Sequence, residues 1–106
     1  MRNILSSTAY LVVNKFLASR IGVDASILLA DLISKEGYFI DNNSLVDGYF
    51  FNTSDNIKKD TTLSKYKQRE AIKILQDQKF LTTKLSGMPS KLHFKIYHDK
   101  ILKYFS

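Results

Sequence analysis

Two short runs in the C-terminal half of the chain alternate apolar with polar residues: KFLTTKL begins at Lys79 and KLHFKIY begins at Lys91. A side-chain period of two is the period of a β-strand. Between the runs lie Gly87 and Pro89, the only proline of the chain, and both residue types favour a turn. The sequence therefore predicts a β-hairpin over residues 80–97, with a basic tip.

The stretch LSKYKQREAIKIL, which precedes the hairpin, has the pattern of an amphipathic helix. We expect Ser64 to cap it and the helix to extend to about Gln78. Lys65, Arg69 and Lys73 repeat at i, i+4 and i+8 on one face, where like charges repel unless an anion lies against them. The predicted buried stripe has the spacing i, i+3, i+4 and i+7 and consists of Gln68, Ala71, Ile72 and Leu75.

The N-terminal half is predicted to supply most of the core. Asn14 is expected to cap a brief helix that Gly22 ends in a left-handed conformation. Asp24 is expected to cap a second, strongly apolar helix that ends at Gly37 and lies at the centre of the core. Residues 38–52 are predicted to form a strand, an irregular loop and a second strand.

Two short segments complete the predicted elements. Thr53 or Ser54 can cap a short helix before the TTL connection. At the C-terminus, HDKILKYF is predicted to form one or two helical turns that dock Ile101, Leu102 and Phe105 on the body.

The order helix, strand, short helix, tight turn, basic helix and hairpin is that of a winged helix-turn-helix domain. We therefore expect an α+β fold in one domain over residues 1–106, with the helix-turn-helix at about 53–78 and the wing at about 80–97. In helix-turn-helix proteins the second helix enters the major groove of DNA. The net charge is +6, and ten of the sixteen basic residues but three of the ten acidic residues lie between Lys58 and Lys95. This distribution favours a polyanionic partner.

The segments LVVNKFLASRIGVDASILLADLISKEGYF and GYFFNTSDNIKKDTTLSKYKQREAIKILQDQKFLTTKLSGMPSKLHFKI resemble the N-terminal domain of replication-initiation and related DNA-binding proteins of bacterial phages and prophages. The resemblance covers roughly residues 10–98, and it implies a winged helix that binds double-stranded DNA in replication initiation or transcription control. Members of that family usually continue into a C-terminal region linked to helicase loading or oligomerisation. The present sequence stops at Ser106, so this second role is expected to be absent or the chain to be a short stand-alone relative.

The candidate DNA contacts fall into two groups, the basic helix with its flank and the hairpin tip. Arginine at an exposed position of a recognition helix commonly reads guanine, and lysine commonly contacts phosphate. Each group also has a structural interpretation, as a solvated charged face, a helix cap or an ordinary turn. The helix group is Lys58, Lys59, Ser64, Lys65, Tyr66, Lys67, Gln68, Arg69 and Lys73, and the tip group is Lys84, Ser86, Gly87 and Lys91.

Other kinds of site find little support in the sequence. The chain has no cysteine, which excludes disulfides, thiolate metal sites and a thiol nucleophile and fits a cytoplasmic protein. His93 and His98 lack a third ligand at suitable spacing, and Asp31 and Glu36 do not form a convincing acid–base pair. We therefore expect no metal, no cofactor, no membrane anchor and no enzymatic activity.

Three alternatives remain open at this point. The domain could bind a host replication or regulatory protein through the same basic face. Tyr49, Phe50 and Phe51 could stack on single-stranded bases, although core and sheet positions explain them as well. The apolar segments AYLVV and KILKYF are candidates for pairing two protomers in a homodimer, or for packing on their own domain.

Overall fold

The computed structural model describes residue 11 and residues 13–104, and within that part the chain is an α+β domain with five helices and one three-stranded antiparallel sheet. This arrangement is compatible with a winged helix. The sheet has the strand order β1-β3-β2. The elements in chain order are α1 (Lys15–Ile21), α2 (Val23–Asp41), β1 (Phe50–Phe51), α3 (Ser54–Thr61), α4 (Lys65–Asp77), β2 (Leu81–Ser86), β3 (Lys91–Ile96) and α5 (His98–Lys103).

The first two helices meet at Gly22. Asn14 caps α1 as predicted, because its side-chain oxygen accepts a hydrogen bond from the backbone N–H of Leu17 at 3.0 Å. Gly22 ends α1 at φ 93° and ψ 159°, so its positive φ is confirmed but its conformation is not left-handed helical. Because α2 begins at once with Val23, Asp24 lies in the first helical turn and the prediction that it caps the helix is wrong. Its carboxylate there still favours the positive end of the helix dipole.

The second helix runs four residues past the predicted end at Gly37. Glycine in a helix interior costs about 1 kcal/mol relative to alanine, which is less than the burial of a large aromatic side chain contributes. Phe39 lies in this extra turn and packs against the rings of Phe50 and Phe51, with centroids 5.8 and 5.5 Å away. The strand predicted to begin at residue 38 is therefore helical up to Asp41.

The core is centred on α2, as predicted. Leu28 and Leu32 have no exposed surface, and α2 contacts α1, α3, α4 and β1. The buried side chains around it come from every other helix and from all three strands. They include Leu17, Ile57, Ala71, Leu75, Phe80, Leu81, Phe94, Ile96 and Ile101.

The predicted hairpin is confirmed, with β2 and β3 paired in register from Leu81 opposite Ile96 to Ser86 opposite Lys91. Side chains alternate between an inner face, which includes the buried Phe94 and Ile96, and an outer face. The third strand, β1, is short and places Phe50 opposite Phe94 on the free edge of β3.

Of the two predicted docking side chains that the structure describes, one is buried. Ile101 is buried, but Leu102 is 69% exposed, so its predicted docking is wrong. Adjacent positions of a helix point about 100° apart, and the neighbouring site on the body is filled by Tyr104, whose ring lies 5.4 Å from that of Phe80. Phe105 lies outside the described residues, as does most of the AYLVV segment.

No helix among the described residues has both the length and the apolar character needed to cross a membrane.

Candidate functional site

Two side-chain caps and a left-handed residue define the connection from α3 to α4. The hydroxyl of Thr53 accepts from the N–H of Asn56 at 3.1 Å, and the hydroxyl of Ser64 accepts from the N–H of Lys67 at 3.2 Å. Both predicted caps are therefore confirmed. Thr62 ends α3 at φ 65° and ψ 4°, which turns the chain between the two helices.

The turn is held from inside by Thr61. Its hydroxyl donates to the carbonyl of Ile57 at 2.6 Å and accepts from the N–H of Leu63 at 3.1 Å. Leu63 itself is buried in the core. The three residues between α3 and α4 therefore have a fixed path, and this path sets the angle at which α4 leaves α3.

Gln68 holds α4 to the same turn and is not available to a partner. Its side-chain N–H donates to the carbonyls of Leu63 at 2.9 Å and Ser54 at 3.1 Å, and its side-chain oxygen accepts from the hydroxyl of Ser54 at 2.9 Å. Only 3% of the residue is exposed. The structure therefore does not bring Gln68 to the exposed face of α4, because this position shares the buried face with Ala71 and Leu75.

The opposite face of α4 is exposed and cationic. Lys65, Arg69 and Lys73 are all exposed, Tyr66 lies beside them, and within residues 13–104 none of the three cations forms an ion pair. The first turn of the helix contains no acidic residue and the last turn contains no basic residue. This is the reverse of the distribution that stabilises an isolated helix, so the charge pattern of α4 opposes its own dipole.

Contacts at the two flanks of α4 show which candidates lie near the hairpin. Gln76 donates to the hydroxyl of Thr83 in β2 at 2.9 Å. Lys65, Arg69, Ile72 and Gln76 follow one another at spacings of four, three and four residues, so they form one strip along the helix. Because Gln76 contacts β2, Lys65 and Arg69 also lie on the hairpin side. Lys67 lies on the other flank, beside a shallow depression bordered by Val23.

A groove of about 260 Å³ separates α4 from the neighbouring elements on the hairpin side. Ser54 of α3, Ile72 of α4 and Ser90 and Lys91 at the start of β3 contribute to its walls. The groove therefore lies between the half-buried side of α4 at Ile72 and the base of the hairpin tip.

The ammonium groups of two hairpin lysines lie over aromatic rings of the sheet. The ammonium of Lys84 lies 4.2 Å from the ring centroid of Tyr49, and that of Lys91 lies 4.6 Å from the ring centroid of Phe51. These rings lie on the outer side of the sheet, so the structure does not place the two ammonium groups on the exposed face of α4.

The extreme tip of the hairpin consists of other side chains. Gly87 has φ 96°, and Ser86 next to it is exposed. Met88 is 99% exposed and Leu85 is 70% exposed. Sequence reasoning missed both of these apolar residues, because alternation assigned Leu85 to the buried side and a lone methionine in a turn gives no signal.

The two lysines at the end of α3 differ in position. Lys59 borders a pocket beside Asp60, on the side of α3 that faces α2, so the structure does not bring it to the cationic face of α4. Lys58 is exposed, and its carbonyl accepts the N–H of Thr62 at the turn. Of the two, only Lys58 lies beside the connection to α4.

A separate charged cluster joins α2 to α3. Lys35 donates to the buried Asp31 at 2.9 Å and also to Asp60. Burial raises the pKa of Asp31 above its usual value, against the lowering effect of Lys35. Burial acts to lower the pKa of Lys35, but its hydrogen bonds to Asp60 and Asp31 outweigh this and raise it.

The remaining ionisable candidates do not assemble into a site. Glu36 binds His98 through a carboxylate oxygen 2.6 Å from Nε2, so Glu36 and Asp31 have different partners. His93 lies in β3, with Nδ1 2.9 Å from the carbonyl of Lys91. Among the described residues there is no group of three or more side chains suited to hold a metal ion.

Comparison with known proteins identifies the fold but not a family. A solved structure described as the N-terminal domain of a DNA binding protein is similar to this chain, with a TM-score of 0.63 and 18% sequence identity over 98% of this chain and 93% of that chain. No protein-family model matches the sequence, and no curated protein matches it. The chain therefore shares the fold of that domain, with little of its sequence.

Proposed function

We propose that this chain is a winged helix-turn-helix domain that binds double-stranded DNA, with α3 and α4 as the helix-turn-helix and the β2–β3 hairpin as the wing. The observation that carries the proposal is the exposed face of α4, where Lys65, Arg69 and Lys73 form no ion pair among the described residues. The shared fold with a domain of a DNA binding protein supports it.

The charge arrangement on α4 is understandable if an anion binds there. Like charges at i and i+4 cost a few tenths of a kcal/mol per pair, and cations near a helix N-terminus add a similar cost. Phosphates against Lys65 and Lys67 would remove both effects, since the free N–H groups of a helix N-terminus also favour anions.

The dimensions of the exposed face suit the major groove. Lys65 and Lys73 are eight residues apart, which is about 12 Å along the helix axis, and the groove of B-form DNA is about 12 Å wide. With α4 lying in the major groove, Tyr66 and Arg69 approach base edges. The tip residues Gly87 and Met88 then approach the neighbouring minor groove, and methionine is among the side chains that insert between base steps there.

The sequence resemblance supports a role in phage or prophage replication initiation or in transcription control. We propose a cytoplasmic binding protein and not an enzyme.

Fluorescence anisotropy with a labelled random-sequence duplex, titrated at several salt concentrations, tests the proposal. Each phosphate contact should contribute about −0.9 to the slope of log affinity against log salt concentration. The variant carrying Arg69→Glu and Lys73→Glu should bind far more weakly and with a flatter slope. Its matched control carries Lys100→Glu and Lys103→Glu on α5, which changes the net charge equally and should retain most of the affinity.

Two results would contradict the proposal. A folded wild-type protein that binds no duplex, or binds with an affinity independent of salt, excludes it. Equal losses in the α4 variant and the α5 control would show that net charge, and not the face of α4, determines binding.

One observation favours a second candidate, a module that binds a host replication or regulatory protein. Val23, Tyr66 and Ile74 are exposed apolar residues that border the depression between the start of α2 and α4, with Lys67 at its rim. An acidic protein with an apolar anchor would fit this depression. Recovery of one stoichiometric protein after nuclease treatment, lost on Val23→Asp, would support this candidate, and its retention on Val23→Asp would reject it.

A further inference from the structure

The side of the sheet opposite the buried Phe94 and Ile96 carries lysine and aromatic side chains next to one another. We call this side the outer sheet face. The pairings Phe51 with His93 and Lys84 with His93 place three of its members side by side across all three strands. Its members are Tyr49, Phe51, Lys84, Lys91, His93 and Lys95.

The cations and rings of the outer sheet face are in contact. Lys84 and Lys91 lie over the rings of Tyr49 and Phe51, and the ammonium of Lys95 is 5.9 Å from the centroid of Tyr49. The rings of Phe51 and His93 are 5.8 Å apart. Charged and flat apolar groups therefore alternate within one patch.

The patch has a surplus of positive charge. Strands β1, β2 and β3 contain no acidic residue. In the described part of the chain, Lys84, Lys91 and Lys95 form no ion pair. Phe51 is 38% exposed beside them. A partner that fits must supply both negative charge and flat apolar surfaces.

We infer that the outer sheet face binds single-stranded DNA, with bases stacked on Phe51, His93 and Tyr49 and with phosphates beside the three lysines. Single strands combine repeated negative charge with free base faces, whereas a duplex hides those faces in its stack. The choice of DNA over RNA rests on the proposed function. None of its members lies on the exposed face of α4, and only Lys91 also borders the groove beside Ile72.

The strand geometry provides room for several nucleotides. Lys91 and Lys95 are four residues apart on β3, which is about 13 Å at the rise of a β-strand, and Lys84 lies between them on β2. When a base stacks on a ring, the ammonium above that ring moves aside, and a phosphate is its nearest new partner. The contacts seen in the free protein thus hold the charges close to the rings on which bases would stack.

The first test is an NMR titration of the ¹⁵N-labelled protein with oligo-dT of about 12 nucleotides, a length within the range that one small domain covers. Amide shifts should concentrate in residues 49–51, 82–86 and 91–97. A random-sequence duplex should shift α4 instead. Shifts by oligo-dT confined to α4, or no shifts at all, would overturn the inference.

The second test measures oligo-dT affinity by fluorescence anisotropy for the variant Tyr49→Leu with Phe51→Leu. Loss of the stacking rings should weaken binding about tenfold or more. The matched control is Tyr38→Leu, which removes an exposed aromatic ring from α2 and should leave the affinity unchanged. Equal affinity in the variant and the control would reject the stacking role, provided that circular dichroism shows both to be folded.

Two further oligonucleotides identify the ligand chemistry. An abasic oligomer of the same length retains the phosphates, and it should bind about tenfold or more weakly than oligo-dT; equal binding would reject base stacking. Oligo-U should bind no more tightly than oligo-dT, and tighter binding would overturn the assignment to DNA.

The charge-reversed α4 variant separates this inference from the proposed function. It should lose the duplex and keep oligo-dT. If the wild-type protein binds no duplex but oligo-dT still shifts the outer sheet face, the proposed function fails while this surface stands. Simultaneous loss of both ligands in the α4 variant would show a single site and overturn the inference.

Discussion

Gln68 and Ser54 are joined by two hydrogen bonds, one from the Ser54 hydroxyl to the side-chain oxygen of Gln68 at 2.9 Å and one from its side-chain N–H to the Ser54 carbonyl at 3.1 Å. Ser54 is the first residue of α3 and Gln68 lies in the second turn of α4. This pair fixes the start of one helix against the other, so the orientation of the exposed face of α4 depends on a residue that faces inward.

Replacement of Gln68 should therefore affect stability. Gln68→Leu leaves the carbonyl of Leu63 and the polar groups of Ser54 without this partner, and such losses cost about 1–3 kcal/mol. Urea denaturation should show a lower midpoint. Gln78→Leu, at an exposed position just after α4, should change the free energy of unfolding by less than about 0.5 kcal/mol. Equal stability of the two variants would mean that the amide of Gln68 has no structural role.

Arg69→Ala should weaken DNA binding and leave stability nearly unchanged, whereas Gln68→Leu should lower stability. Arg69 is exposed and makes no ion pair within the described residues, so its loss should leave the denaturation midpoint nearly unchanged. Duplex affinity should fall. If Arg69 contacts phosphate, the salt slope should decrease by about one; if it reads a base, binding-site selection should show relaxed preference at one position, at a cost of about 1–3 kcal/mol. An unchanged duplex affinity would remove Arg69 from the interface.

Thr62→Gly should stabilise the protein. Thr62 is a β-branched residue at φ 65°, a conformation that costs non-glycine residues about 1–2 kcal/mol, and its side chain is exposed. After the entropy that glycine adds to the unfolded chain, a gain of about 0.5–1 kcal/mol is expected. Gln78 ends α4 at φ −82°, so Gln78→Gly serves as the control and should not stabilise. A lower thermal midpoint for Thr62→Gly would indicate that the threonine side chain itself supports the turn.

Lys35→Met should destabilise the protein in a pH-dependent manner. Without Lys35 the buried carboxylate of Asp31 loses its hydrogen bond, and we expect a cost of about 1–3 kcal/mol at neutral pH. The cost should shrink as the pH falls and Asp31 takes up a proton, because burial already raises its pKa. Urea denaturation across this pH range measures the effect.

The same cluster contributes stability that should be lost at alkaline pH. The pKa of Lys35 is raised above its usual 10.5, so its stabilising contribution is complete below that pH and is lost as the pH rises through the higher folded-state value.

A double variant tests whether Asp31 is the group that makes the cost of Lys35→Met depend on acid pH. When Lys35→Met is introduced into an Asp31→Asn background, the loss in free energy of unfolding should no longer shrink as the pH falls. Persistence of that dependence would assign it to another group.

The correct sequence predictions were those that depend on neighbours within three or four residues. Asn14, Thr53 and Ser64 each cap a helix by accepting from an N–H three positions ahead, and this chemistry is visible in the sequence alone. The β2–β3 hairpin was likewise predictable from alternation around Gly87.

The errors arose where distant packing decided the outcome. Gly37 stays helical because Phe39 packs on β1, and Leu102 is exposed because the adjacent Ile101, which points about 100° away on the helix, is the side chain buried against the body. Gln68 has the same spacing as Ala71 and Leu75, so the sequence did place it on the buried stripe, but its partner Ser54 lies fourteen residues away and gave no signal. The outer sheet face depends on the pairing of β1 with β3, across more than forty residues, and a single sequence does not reveal that pairing.

The bond from Gln76 to Thr83 fastens the C-terminal half of α4 to β2, as the bonds of Gln68 fasten its N-terminal half to α3. A helix held at both ends can neither slide nor rotate against its neighbours without breaking one of these bonds. The entropy of ordering this surface is thus lost when the chain folds and not when a ligand arrives. Whatever binds the exposed face of α4 meets a preorganised surface, so its affinity depends on the fit of that surface and little on rearrangement of the protein.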